Sequence, residues 1–189
     1  MRHKYETRGI VLSRSPVGEA SSFVVVLTPE IGLVRALAQS VRKPSAKLAA
    51  ALVTLAESSV VLVHGRDGWR LSGAVLEENW FKRIGRVGAR EVATRVSGLL
   101  LRLVTGEAQE RALYPVMRGF LEALATADPS EDESIELLAA LRVLAALGLD
   151  AGVISGDISD FSPAVRAEIG RDRAGSIARI NHGIAASGL

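Results

Sequence analysis

Four cations, Arg35, Arg42, Lys43 and Lys47, fall within a short stretch of the chain. Guanidinium and ammonium groups at this density suit the neutralisation of a phosphate string, which releases counterions and gives sequence-independent affinity for nucleic acid. Arg14 upstream, and Arg66 and Arg70 downstream, would extend the same surface. The competing reading is an ordinary solvated surface with Lys47 at a helix end. Groups suited to catalysis are scarce. His3, His64 and His182 lie far apart, and none has an i,i+4 histidine partner. No Gly-Lys-Ser/Thr phosphate loop and no G-x-S-x-G elbow occurs. Asp157 and Asp160 form a close pair near Asp150. A divalent-metal nuclease could use such carboxylates, but their setting reads as a solvated acidic loop or a helix cap at Asp160. The expectation is a non-enzymatic binding protein with no cofactor and no metal.

The elements that must hold these cations read as β-structure first. Strand-like runs cover Thr7 to Leu12, Phe23 to Thr28 and Leu33 to Ala38, with a polar loop from Ser13 to Ser22 and a turn at Pro29-Glu30-Ile31-Gly32. An Ala/Leu-rich stretch from Lys47 to Leu55 reads as a short helix leading into a fourth strand. Val60 to His64 and Trp69 to Leu76 flank Gly65-Arg66-Asp67-Gly68, the composition of a tight hairpin. Five strands with a helical insert between the third and fourth follow OB-fold order. Phe23 reads as core, and Trp69 as either core or the one stacking platform, so binding should be dominated by the nucleic-acid backbone.

After Glu78 the apolar period becomes helical. Val92, Val96, Leu99, Leu100 and Leu103 mark one helix, Leu113 to Ala125 a second. Ser130 and Glu133 form a capping-box pattern ahead of Leu137, Leu138, Leu141, Leu144 and Leu147, with Gly148 at the far end. Gly152 to Asp160 reads as loop, Ser162 to Ile169 as a short helix, and Ile177, Ile180 and Ile184 as a last one. The expected class is α+β: an N-terminal five-stranded OB-fold barrel, residues 1–78, then an all-helical domain, residues 79–189.

Composition agrees with a folded chain: 189 residues, 48% hydrophobic and 23% charged, with no cysteine for disulfides or thiolate metal sites. No apolar run is long enough to span a bilayer. The expectation is a cytoplasmic protein that makes no use of a membrane. The net charge of +2 conceals a gradient. Residues 1–76 carry ten Lys/Arg and five Asp/Glu, whereas residues 128–189 carry five and ten. Such asymmetry points one half at a polyanion.

The order of strand, Thr28-Pro29-Glu30-Ile31-Gly32 turn, strand and Arg42-Lys43-Pro44-Ser45-Ala46-Lys47-Leu48 resembles the N-terminal OB domain of the RecO recombination-mediator family of bacterial DNA repair proteins. The resemblance is clearest from Glu6 to Glu78 and continues more weakly through the helical remainder. It implies binding of single- and double-stranded DNA, strand annealing, action with RecR, and capture of the acidic C-terminal tail of single-stranded DNA-binding protein, together loading RecA. The family's basic segment maps onto Arg42, Lys43 and Lys47, with Arg35 in the strand before. Its leucine-rich helix ending in Leu-Gly maps onto Leu137 to Leu149, and its final helix onto Ile177 to Leu189. Many members carry four cysteines as a zinc module after the Leu-Gly helix, where this chain has Asp150 to Asp160. The expectation is therefore a short variant lacking the zinc module.

An acidic, apolar-ended tail needs an apolar slot rimmed by cations. The helical part supplies Arg111 and Arg118, read on one helix, and Arg142 on another, interleaved with Met117, Phe120, Leu121 and Leu138. The other reading makes these apolar residues the bundle core. A different class also stays open: an OB-fold RNA- or ribosome-associated binding factor, because the same basic barrel would serve RNA.

Overall fold

The computed structural model describes residues 3–39 and 47–189. The chain divides into two compact units, Met1–Lys82 with Gly106–Tyr114, and Arg83–Thr105 with Pro115–Leu189. In the first, β1 (His3–Val17), β2 (Ser21–Thr28), β3 (Gly32–Ala38), β4 (Ala56–Gly65) and β5 (Gly68–Asn79) close into a barrel in the order β1-β2-β3-β5-β4, with α1 (Lys47–Ala51) between β3 and β4. This is the OB-fold order expected from the sequence. Among the described strands only the β3–β5 pairing is parallel.

Closure depends on the length of β1. Its first half, His3 to Ile10, pairs with β4, and its second half, Ile10 to Val17, pairs with β2. A register shift between Val11 and Ser13 lets the strand bend from one partner to the next. The expected loop from Ser13 to Ser22 is thus corrected: Ser13 to Val17 is strand, and the turn is Gly18 to Ala20. Ser13 and Ser15 stand opposite Val25 and Phe23 in the ladder, so the pairing holds without apolar alternation in β1.

The barrel interior is one cluster. Val24 and Val26 of β2, Val34, Ala36 and Ala38 of β3, Val60 and Leu62 of β4, and Trp69 and Leu71 of β5 are buried in it. Ala36 is the ladder partner of Trp69, a small residue making room for a large one. Leu48 and Leu52, on and just after α1, pack against the same cluster. Each fully buried Val or Leu contributes about 1.5–3 kcal/mol relative to exposure. The β2–β3 turn is stitched by Thr28, whose hydroxyl accepts from Ile31 N and donates to Gly32 O, both at 3.1 Å. Gly32 sits at φ +80°, and a Cβ there would run into the Ala108 carbonyl. Leu33 and Ala108 form an isolated antiparallel bridge, bringing Gly106–Tyr114 into the first unit.

The remaining helices are α2 (Trp80–Ile84), α3 (Val87–Leu103), α4 (Leu113–Thr126), α5 (Asp132–Ala146), α6 (Pro163–Arg171) and α7 (Arg173–Ala186). In the second unit α5 is central and packs with α3, α6 and α7. Leu138 to Leu144 is buried without a break, the pattern of a helix covered on all sides. Arg86, at the start of α3, donates to both Asp132 carboxylate oxygens at 2.7 and 3.0 Å and to the Leu124 carbonyl at 3.1 Å. Arg179 of α7 grips Asp150 through Nε and Nη2 at 3.1 and 2.5 Å.

The expected capping box is corrected. A 3-10 turn, Pro129–Glu131, precedes α5, and its cap is Asp128, which accepts from Ser130 N at 2.9 Å and from Ser130 Oγ at 2.7 Å. Pro129, directly after Asp128, favours that tight turn, so Ser130 becomes a donor rather than a cap.

Candidate nucleic-acid interface

Ladder register decides which barrel residues share the outer face, because directly paired residues point to the same side. Val24, Val26, Ala36, Ala38, Trp69 and Leu71 point inward. Their neighbours therefore point outward, and pairing aligns them into one row: Ser15, Phe23, Leu37, Arg70, Val63 and Lys4 lie on β1, β2, β3, β5, β4 and β1 in turn. Arg35, opposite Val25, stands two residues from Leu37 on the same face. Arg66 occupies the two-residue turn between the paired Gly65 and Gly68, beside Arg70. Three of the predicted cations, Arg35, Arg66 and Arg70, thus lie on the β2–β3–β5 face and at the β4–β5 loop. Those are the places where OB barrels hold oligonucleotides.

All three side chains are exposed. Arg70 reaches Asp67 at 3.1 Å in a solvent-exposed pair, which contributes little and leaves the guanidinium exchangeable. The Arg35 guanidinium carbon lies 4.4 Å from the centroid of the Phe23 ring. Phe23 is half-buried and outside the barrel, not in its core as expected. Trp69, by contrast, belongs to the interior cluster, with 9% exposure. Its ring meets Tyr5 at 5.3 Å and His64 at 4.7 Å between centroids, so Tyr5 and His64, both exposed, border the hairpin end.

Arg14 is placed differently from the expectation. It lies within β1, opposite the inward-pointing Val24, and its Nε donates to Ser22 Oγ at 3.2 Å. It does not share the face of Arg35 and Arg70. Arg42 and Lys43 lie outside the described residues, and Lys47 is the first residue of α1.

The residues expected to receive a partner tail are dispersed. Arg111 lies in the turn before α4 rather than on it, and is exposed. Arg118 is exposed on α4. Phe120 is fully buried, 6.3 Å from Phe161 between centroids. Arg142 is 2% exposed. It donates to the carbonyls of Ser155, at 3.1 Å, and of Asp157, and lies over the Phe161 ring at 5.2 Å. Burial pushes its pKa down, opposed by the charges of Asp160 and Asp157. Arg142 is thus the post around which the loop between α5 and α6 is wound.

Asp157 and Asp160 serve that loop. Asp157 accepts from Ser159 N and Oγ at 2.7 and 2.8 Å, bonds that hold its carboxyl below the usual carboxylate range. Asp160 accepts from Ser162 N at 2.9 Å, just before α6. Among the described residues no group of three or more His, Asp or Glu side chains is placed to hold a metal ion. Nor is any helix among them long and apolar enough to cross a membrane.

A closed OB barrel with a basic, partly aromatic outer face defines the class of this domain. Residues 1–78 match the family described as Recombination protein O N terminal. The chain is similar to proteins named DNA repair protein RecO. It is 28% identical to that of Dehalococcoides mccartyi over 122 residues, 65% of this chain and 48% of the relative. It is 32% identical to that of Gloeobacter violaceus over 147 residues, 76% and 55% of the two chains. Over 80 residues it is 36% identical to that of Acaryochloris marina, 42% and 27% of the two. The chain spans about half the length of the first two of these curated relatives.

Proposed function

We propose that this chain is a non-catalytic, DNA-binding recombination mediator of DNA repair, working in the cytoplasm. It binds single- and double-stranded DNA through the barrel's outer face and promotes annealing of complementary strands. The observation that carries this reading is the placement of Arg35 and Arg70 on one outer face of the barrel, with Arg66 in the adjoining β4–β5 turn, in a segment that matches the recombination protein O N-terminal family. Arg42, Lys43 and Lys47 follow β3 in the chain and extend the cationic track along the DNA backbone. Action with RecR in loading RecA, and receipt of the acidic tail of single-stranded DNA-binding protein by the helical part, belong to the same reading. The resemblance to RecO proteins supports them. Phe120 and Arg142 are engaged in the interior and Arg111 belongs to the first unit, so the tail contact in the helical part is assigned to exposed cations such as Arg118.

Fluorescence anisotropy with labelled oligonucleotides tests the reading. Four phosphate contacts, from Arg35, Arg42, Lys43 and Lys47, give a slope of about −3 for log affinity against log salt on single strands. Charge reversal by Arg42→Glu and Lys43→Glu weakens all DNA sequences alike. Unchanged affinity in that double variant removes the basic segment from the interface. Tighter binding of RNA than of DNA of the same sequence at fixed salt favours an RNA-associated factor instead.

A further inference from the structure

The function above makes no use of Phe23, the aromatic residue on the proposed DNA face. It stands on the outside of β2, paired with Leu37 and in the same row as Arg70. A phenylalanine on the outer face of a strand is apolar surface left partly in water. Here it is roofed by a cation, with the Arg35 guanidinium 4.4 Å from the ring centroid. Arg35 has no ion-pair or hydrogen-bond partner among the described residues. Among the described residues only the cation–π attraction, weak at an exposed site, holds it to the ring. A ring with a loosely held planar cation over it can exchange that cation for another flat group.

We infer that Phe23 is a base-stacking subsite for single-stranded nucleic acid, covered by Arg35 while the chain is unbound. An unpaired base takes the place of the guanidinium on the ring. Arg35, released, turns its donor fork to the adjoining phosphate, a geometry the planar guanidinium suits. Arg70, farther along the same row, and Arg66 beside it hold the backbone beyond the stacked nucleotide. In a duplex the bases are stacked on each other and unavailable, so the subsite works only on single strands. It gives an otherwise backbone-reading surface a preference for unpaired DNA. The inference rests on the barrel face being the DNA-binding face.

The experiment compares a labelled oligothymidine with the same sugar–phosphate strand carrying abasic residues, and with a duplex, at one salt concentration. The wild-type chain should bind oligothymidine roughly five- to tenfold more tightly than the abasic strand, the low end of what one stacked base supplies. Phe23→Leu, which keeps an apolar contact with Leu37, should erase that difference and leave duplex affinity unchanged. Phe23→Trp should keep it. Arg35→Gln should weaken binding of oligothymidine and abasic strand by the same factor. Equal wild-type affinity for the two single strands overturns the subsite. So does a Phe23→Leu chain that loses duplex and single-strand binding in equal measure. If the two strands bind equally while Arg42→Glu with Lys43→Glu still weakens both, the subsite falls and the DNA-binding face stands. If the wild-type chain binds none of the three ligands, the face falls and the subsite with it.

Discussion

Tyr114 donates its phenolic hydroxyl to Glu57 Oε1 at 2.7 Å, across 57 residues of chain. The other oxygen of the same carboxyl accepts from Trp80 Nε1 at 3.0 Å. Glu57 is 4% exposed, and Trp80 and Tyr114 are buried with it. One side chain at the start of β4 therefore satisfies two interior donors from distant parts of the first unit. Glu57→Ala strands both donors and should cost about 2–5 kcal/mol, since each unsatisfied buried group costs about 1–3 kcal/mol. Glu57→Gln keeps one acceptor oxygen and should cost less than half as much. Urea unfolding measures both. Equal, sub-kilocalorie losses in the two variants would show that these bonds contribute nothing net.

Arg142→Met separates a structural post from a ligand contact. Removing the guanidinium frees the carbonyls of Ser155 and Asp157 and loosens the segment they anchor. The expected loss is about 2–4 kcal/mol, in line with the removal of buried, charge-assisted hydrogen bonds. Amide exchange should quicken in residues 152–160 before it quickens in α5. An Arg142→Met chain with full stability and lost peptide binding would assign the residue to a partner instead.

Three carboxyls of the second unit sit below their ordinary pKa: Asp128 through bonds from Ser130, Asp157 through bonds from Ser159, and Glu133 through Arg173. Each binds its proton more weakly folded than unfolded. The stability they confer is therefore present above the ordinary carboxylate range and fades as pH falls through the lower, folded values. The urea midpoint should fall between about pH 5 and about pH 3. Asp128→Asn and Asp157→Asn should each make that fall shallower. An identical midpoint at the two pH values would refute the assignment.

What could be read from the sequence follows from how local the signal was. The hairpin at Gly65 to Gly68 was legible because a two-residue turn between glycines has few alternatives. The five-strand order was legible from turn chemistry at Pro29 to Gly32 and the Ala/Leu helix after Lys47. The facing of β2 was not legible: Ser21 to Thr28 is apolar at five successive positions, so alternation carries no sign. The missing cue was the exposed Arg35. With the turn fixing register, Arg35 outward puts Val25 and Phe23 outward too, and moves Phe23 from core to surface. Arg14 failed for the opposite reason. It looked like a loop cation because Ser13 and Ser15 flank it, yet its ladder partner is Val24. Arg142 sits inside an unbroken apolar helix, and only the loop that wraps it explains a guanidinium there.

The inclusion of Gly106–Tyr114 in the first unit has a consequence for the order of biosynthesis. All five strands have been made once Asn79 is synthesised, and the ring can close. Its free Leu33 edge, and the acceptor oxygen of Glu57 awaiting a phenol, must still wait for Ala108 and Tyr114. At ribosomal speeds of about 5–20 residues per second, that interval is roughly two to seven seconds. During it the nascent barrel shows an unbridged strand at Leu33. A chaperone that reads exposed strand edges has that interval in which to act. Slow codons between those for Asn79 and Tyr114 would lengthen it without changing one residue of the finished protein.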